Sequence, residues 1–66
     1  MKKMEIILIP SSSGVIKVYI YGFGNGYGKV YATLNEVVAT SKGYNVKRTI
    51  LKALSKLNQS LINKEQ

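Results

Sequence analysis

Between residues 15 and 21 the chain alternates, with Ile16, Val18 and Ile20 on one face and Val15, Lys17, Tyr19 and Tyr21 on the other. That period of two is the mark of a half-buried strand. Residues 28–34 repeat it, placing Val30, Ala32 and Leu34 opposite Lys29, Tyr31 and Thr33. Upstream, Met4 to Ile9 is an Ile-rich apolar run stopped by Pro10, which predicts a short buried strand, and Ser11 to Gly14 reads as a compact loop. Downstream, Asn35-Glu36 looks like a tight turn leading into a further strand that begins at Val37. The period then lengthens to 3.6: Val46, Ile50, Ala53, Leu54, Leu57 and Leu61 share one stripe, and Asn45 is placed to cap the exposed N–H groups of a first helical turn.

These signals predict an α+β fold, an antiparallel β-sheet of three to four strands with one C-terminal amphipathic helix packed on one face. The strands span about 4–9, 15–22, 28–34 and 37–41 and the helix about 45–62, and residues 1–66 form a single small basic domain. The expected core is Ile16, Val18, Ile20, Val30, Ala32, Leu34, Val37, Ala39, Val46, Ile50, Ala53, Leu54 and Leu57.

Strand register follows from the faces. A two-residue turn at Asn25-Gly26 would set Ile20 beside Tyr31 and mix apolar with polar positions. A three-residue loop, Gly24 to Gly26, instead pairs Ile20 with Val30, Val18 with Ala32 and Tyr19 with Tyr31. It requires Gly26 in a left-handed conformation. The same logic pairs Leu34 with Val37 and Ala32 with Ala39.

Composition narrows the function. With no Cys and no His the familiar metal patterns cannot be written, and with no Asp the usual acids and bases reduce to Glu5, Glu36 and Glu65, far apart in sequence. The expectation is a non-enzyme, with no metal, no cofactor and no small-molecule substrate. Ten Lys and Arg against three Glu leave a net charge of +7, which points to an acidic partner. The apolar run Ile6 to Ile9 is too short for a signal peptide or a spanning helix, so a cytoplasmic location is expected and a membrane role is disfavoured.

Three places could carry binding. On the helix, Arg48, Lys52 and Lys56 recur at i, i+4 and i+8, close to the side opposite the apolar stripe, without the acidic partners that normally balance such a face. The loop Gly22 to Gly28 has alternating glycines, so it matches neither the dinucleotide fingerprint nor a P-loop. It is either a hairpin tip or a finger that presents Phe23, Asn25 and Tyr27, with Lys29 beside them, to a nucleic-acid groove. Finally, Lys17, Tyr19, Tyr21 and Tyr31 share the outer sheet face with Lys29. Aromatics alternating with Lys can stack bases, or the face can be covered by a second subunit in a homodimer, as a small domain favours.

From Ala39 to Leu57 the chain, together with the strands before it, resembles the C-terminal portion of the double-stranded-RNA-binding domain family. The resemblance lies in Thr40-Ser41-Lys42-Gly43-Tyr44-Asn45-Val46-Lys47-Arg48 and the helix through Lys52-Ala53-Leu54-Ser55-Lys56-Leu57. It implies Asn45 as the cap, Lys47 and Arg48 as phosphate-gripping basic residues, and Gly22 to Gly28 in the place of the groove-reading loop. The chain departs in having a predicted strand where the family has its first helix, and Leu51 at the third basic position. The expected function is non-catalytic, largely sequence-independent recognition of a duplex phosphate backbone, RNA slightly ahead of DNA. The rival is a small dimerising structural or regulatory module that binds an acidic protein surface.

Overall fold

The computed structural model describes residues 4–24 and 26–64. Four strands, β1 (Met4–Ser11), β2 (Gly14–Gly22), β3 (Gly28–Leu34) and β4 (Val37–Gly43), form an antiparallel sheet in chain order, and one helix, α1 (Val46–Lys64), packs on β3 and β4. The face-consistent register is the one observed: Ile20 pairs with Val30, Val18 with Ala32, Tyr19 with Tyr31, Ala32 with Ala39 and Leu34 with Val37. At the β2–β3 tip the Gly26 N–H donates to the Phe23 carbonyl at 3.3 Å, and the Phe23 N–H to the Tyr27 carbonyl at 2.8 Å. Gly26 has φ 97°, a backbone conformation that glycine adopts without a steric penalty.

The inner face of the sheet is organised in rows. Val18, Ala32 and Ala39 form one, Ile20, Val30 and Ser41 the next, and Gly22, Gly28 and Gly43 the last. The glycine row has no side chains, so groups from outside the sheet settle into it. The Phe23 ring occupies the space where a Gly28 Cβ would stand, and a Cβ on Gly43 would lie 2.7 Å from Thr49 Oγ1. Phe23 reaches this position from a backbone φ of 68°, unusual for a bulky residue.

The helix starts as its sequence requires. Asn45 Oδ1 accepts from the Arg48 N–H at 3.0 Å, and the Thr49 hydroxyl donates to the Asn45 carbonyl at 2.6 Å. Thr49, Ala53 and Leu57 are the most deeply buried helix residues, while Ile50, Leu54 and Leu61 flank the core at partial burial. Val46, expected in the core, is 38% exposed, because it opens the helix at the glycine end of the sheet, where the strands supply no side chains to cover it. Thr49 takes the buried place instead, as the empty Gly43 position admits it.

The first strand differs most from expectation. It runs through Pro10 to Ser11, so the turn before β2 shrinks to Ser12-Ser13, with the Ser11 hydroxyl donating to the Gly14 carbonyl at 2.7 Å. Pro10 is tolerated because antiparallel bonding alternates: counted from the turn-closing pair Ser11–Gly14, the Pro10 nitrogen faces away from β2. Nor is β1 buried. Met4, Ile6 and Leu8, level with Tyr21, Tyr19 and Lys17 on the face away from the helix, are 51, 51 and 60% exposed. Ile7, on the helix side, is 41% exposed because α1 packs on β3 and β4. The last strand also extends beyond its predicted end, to Gly43.

Candidate nucleic-acid interface

The edge of β4 is where sheet and helix bring their cations together. Two-residue turn closure at Leu34–Val37 sets the alternation, so the backbone groups of Val38, Thr40 and Lys42 point to the open side of the strand. Lys56 Nζ uses this, donating to the Thr40 carbonyl at 3.1 Å. Around that contact Thr40, Ser41, Lys42, Lys52 and Lys56 line an open groove that wraps the strand edge. The groove lining contains three ammonium groups and no carboxylate.

Lys42 stands directly opposite Lys29 on the outer face of the sheet. Like charges in that position repel, and both side chains are exposed. Lys29 in turn belongs to a second hollow, lined by Tyr21, Gly22, Tyr27, Gly28 and Tyr31, again with no carboxylate. Tyr21 and Tyr31 meet edge to face with centroids 5.4 Å apart. Tyr27 packs on Tyr44 at 5.1 Å, tying the hairpin tip to the residue just before the helix cap. The two hollows are joined at the Lys29–Lys42 pair, giving one strip from the loop to the flank of the helix. Such a strip can hold successive phosphates at its lysines, with aromatic surface alongside.

Of the residues singled out in the sequence, Lys52, Lys56, Lys29, Tyr21, Tyr27 and Tyr31 lie in this strip. Lys52 and Lys56 sit on the flank of the helix against β4 rather than opposite its buried stripe, because Thr49–Ala53–Leu57 is the buried line and Lys56 is only one step from Leu57. Arg48 is exposed one turn before Lys52. At about 100° per residue, Lys47 falls on the other flank of the helix from Lys52. Phe23 is turned toward the glycine row and half-buried, so its ring is not at the tip. Asn25 lies outside the described residues. Lys17 is distant in register, between Leu8 and Thr33, and Tyr19 is partly buried between Ile6 and Tyr31.

Sequence reasoning missed Lys42, Thr40, Ser41 and Tyr44 as site residues. A signal for Lys42 was present: extending the Leu34–Val37 register brings it opposite Lys29. Nothing along the chain reveals that a helix lysine will cross to Thr40. Among the described residues no group of His, Cys, Asp or Glu could hold a metal ion, and no helix is long and apolar enough to cross a membrane. Comparison with family models, with curated proteins and with solved structures finds no match.

Proposed function

We propose that this protein is a non-catalytic nucleic-acid-binding module of the cytoplasm that grips a duplex phosphate backbone with little regard to sequence, taking RNA in preference to DNA. The observation that carries the proposal is the convergence of Lys42, Lys52 and Lys56 around the β4 edge, continued by Lys29 into the tyrosine hollow, with no carboxylate in either lining. Uncompensated ammonium groups held close together repel unless a polyanion relieves them. The preference for RNA rests on the resemblance to the double-stranded-RNA-binding domain family through the Lys42-to-Arg48 segment and on the loop packed beside the helix start.

Fluorescence anisotropy with an RNA duplex of about 16 base pairs, the length a duplex-RNA module spans, a matching DNA duplex and the single strands tests this reading. The RNA duplex is expected to bind tightest, and Lys42→Glu with Lys52→Glu is expected to abolish binding. If no nucleic acid binds even at low salt, the groove belongs to an acidic protein surface instead.

A further inference from the structure

The sheet has two edges and they are not alike. On β4 the outward carbonyl of Thr40 is taken by Lys56 and the groove around it is cationic. On β1 nothing among the described residues covers the edge, and the strand presents Met4, Ile6, Ile7 and Leu8, each more than two-fifths exposed. A long, exposed, apolar edge strand is a template for pairing with another chain. The devices that usually blunt such an edge are sparse here. Its described residues contain no Lys, its one charge is Glu5, and Pro10 lies at the far end.

The geometry points to a second copy of this chain as the occupant: a two-fold homodimer in which β1 pairs antiparallel with the partner's β1, making one continuous eight-stranded sheet. The register is dictated by backbone direction. Since odd-numbered residues of β1 bond to β2, the free N–H and C=O groups belong to Met4, Ile6 and Leu8, while Pro10 has no N–H to give. Centring the pair on Ile6 uses all three, with Met4 opposite the partner's Leu8 and Ile6 opposite the partner's Ile6. Three bonded pairs exchange about six N–H···O bonds, and Pro10 falls outside the bonded stretch. The outer-face side chains of Met4, Ile6 and Leu8 then cover their counterparts, and Glu5 faces the partner's Ile7 rather than a second carboxylate.

Charge does not oppose this partner, and the symmetry of the bonded stretch about Ile6 suits it. Two chains of +7 repel, yet this pairing places their cationic β4 edges at opposite ends of the joined sheet. Seven strand spacings separate them by about 34 Å, several times the Debye length of about 8 Å at physiological salt. Among the described residues, contact therefore occurs at the less cationic of the two edges. Pairing also consumes both copies of β1, and with Lys56 on β4 the assembly closes at two rather than growing into a filament.

The dimer does not depend on the proposed function, so it is tested without nucleic acid. Sedimentation equilibrium at about 100 µM, where even a weak interface is populated, is expected to give twice the chain mass. The amides of Ile6 and Leu8 should become protected from hydrogen exchange as concentration rises, while those of Ile7 and Ile9, bonded within the chain, stay protected throughout. Ile6→Pro removes only an outward N–H, as Pro10 already does, and should halve the mass with an unchanged circular dichroism spectrum. If that variant unfolds, Leu8→Lys and the amide protection of the unmodified chain decide. A monomer at this concentration overturns the inference. So does a dimer whose Ile6 and Leu8 amides exchange freely and whose mass falls with Tyr19→Ala and Tyr31→Ala, which would assign the interface to the sheet face.

Discussion

Glycine 43 and threonine 49 form a lock at the single-residue level. The hydroxyl of Thr49 donates to the Asn45 carbonyl at 2.6 Å, and the side chain fits only because Gly43 lacks a Cβ. Gly43→Ala should destabilise the fold by about 1–3 kcal/mol through overpacking, and Thr49→Ala by about 1 kcal/mol through loss of the bonded hydroxyl. The two share one space, so the double variant should lose less than the sum, and a urea-denaturation cycle measures the difference. Strict additivity would mean that Thr49 is not what makes glycine necessary there. A parallel contrast holds in the hairpin: a Cβ on Gly28 meets the Phe23 ring and the Tyr21 carbonyl, whereas one on Gly24 meets nothing within 4 Å. Gly24→Ala should therefore change stability by no more than about 0.5 kcal/mol, and Gly28→Ala by several times as much, in the same denaturation assay.

At the scale of the helix, capping and charge separate cleanly. Asn45→Ala removes the acceptor for the Arg48 N–H and should cost about 1 kcal/mol of stability. Arg48→Glu and Lys52→Glu touch nothing buried, so each should shift the thermal or urea midpoint by an amount equivalent to no more than about 0.5 kcal/mol. Their effect on duplex affinity should be large. Lys47→Glu makes the same change of net charge on the opposite flank of α1, away from the groove. It should weaken binding less than Lys52→Glu does. Equal losses from the two would indicate a diffuse attraction by net charge rather than a groove, a distinction that titrations of each single variant resolve.

For the molecule as a whole, the helix and the sheet are offset. The chain measures 40 × 17 × 16 Å with a radius of gyration of 12.0 Å, against about 11 Å for a compact domain of this length. The helix packs on β3 and β4 while β1 stands clear of it. One side of the sheet is thereby left apolar and the other cationic. If Lys29, Lys42, Lys52 and Lys56 each neutralise a phosphate on B-form DNA, log K should fall with log salt at a slope of about −0.9 per contact, or −3.6 for four. Lys42→Gln should bring that slope about one unit closer to zero. A slope near zero in anisotropy titrations across salt would remove phosphate contact from the reading altogether.

Alternation and turn chemistry along the chain were enough to place β2, β3 and β4, their register, the left-handed Gly26 and the Asn45 cap. Each is a local property: a side chain's face depends only on parity, and a cap only on the residues of the next turn. Within the site, Lys29, Lys52, Lys56 and Tyr27 were legible for the same reason, as exposed positions on patterned elements. What the sequence did not determine was where the helix would lie across the sheet. That depends on non-local fit, above all on the glycine row that admits Phe23 and Thr49 and so sets the helix over β3 and β4. From that one placement follow the exposure of Ile7 on the helix side of β1, whose apolar run reads as buried by composition alone, and the groove in which Lys42 and Lys52 meet Lys56 at the carbonyl of Thr40. Met4, Ile6 and Leu8 are exposed because they stand on the other face of the sheet.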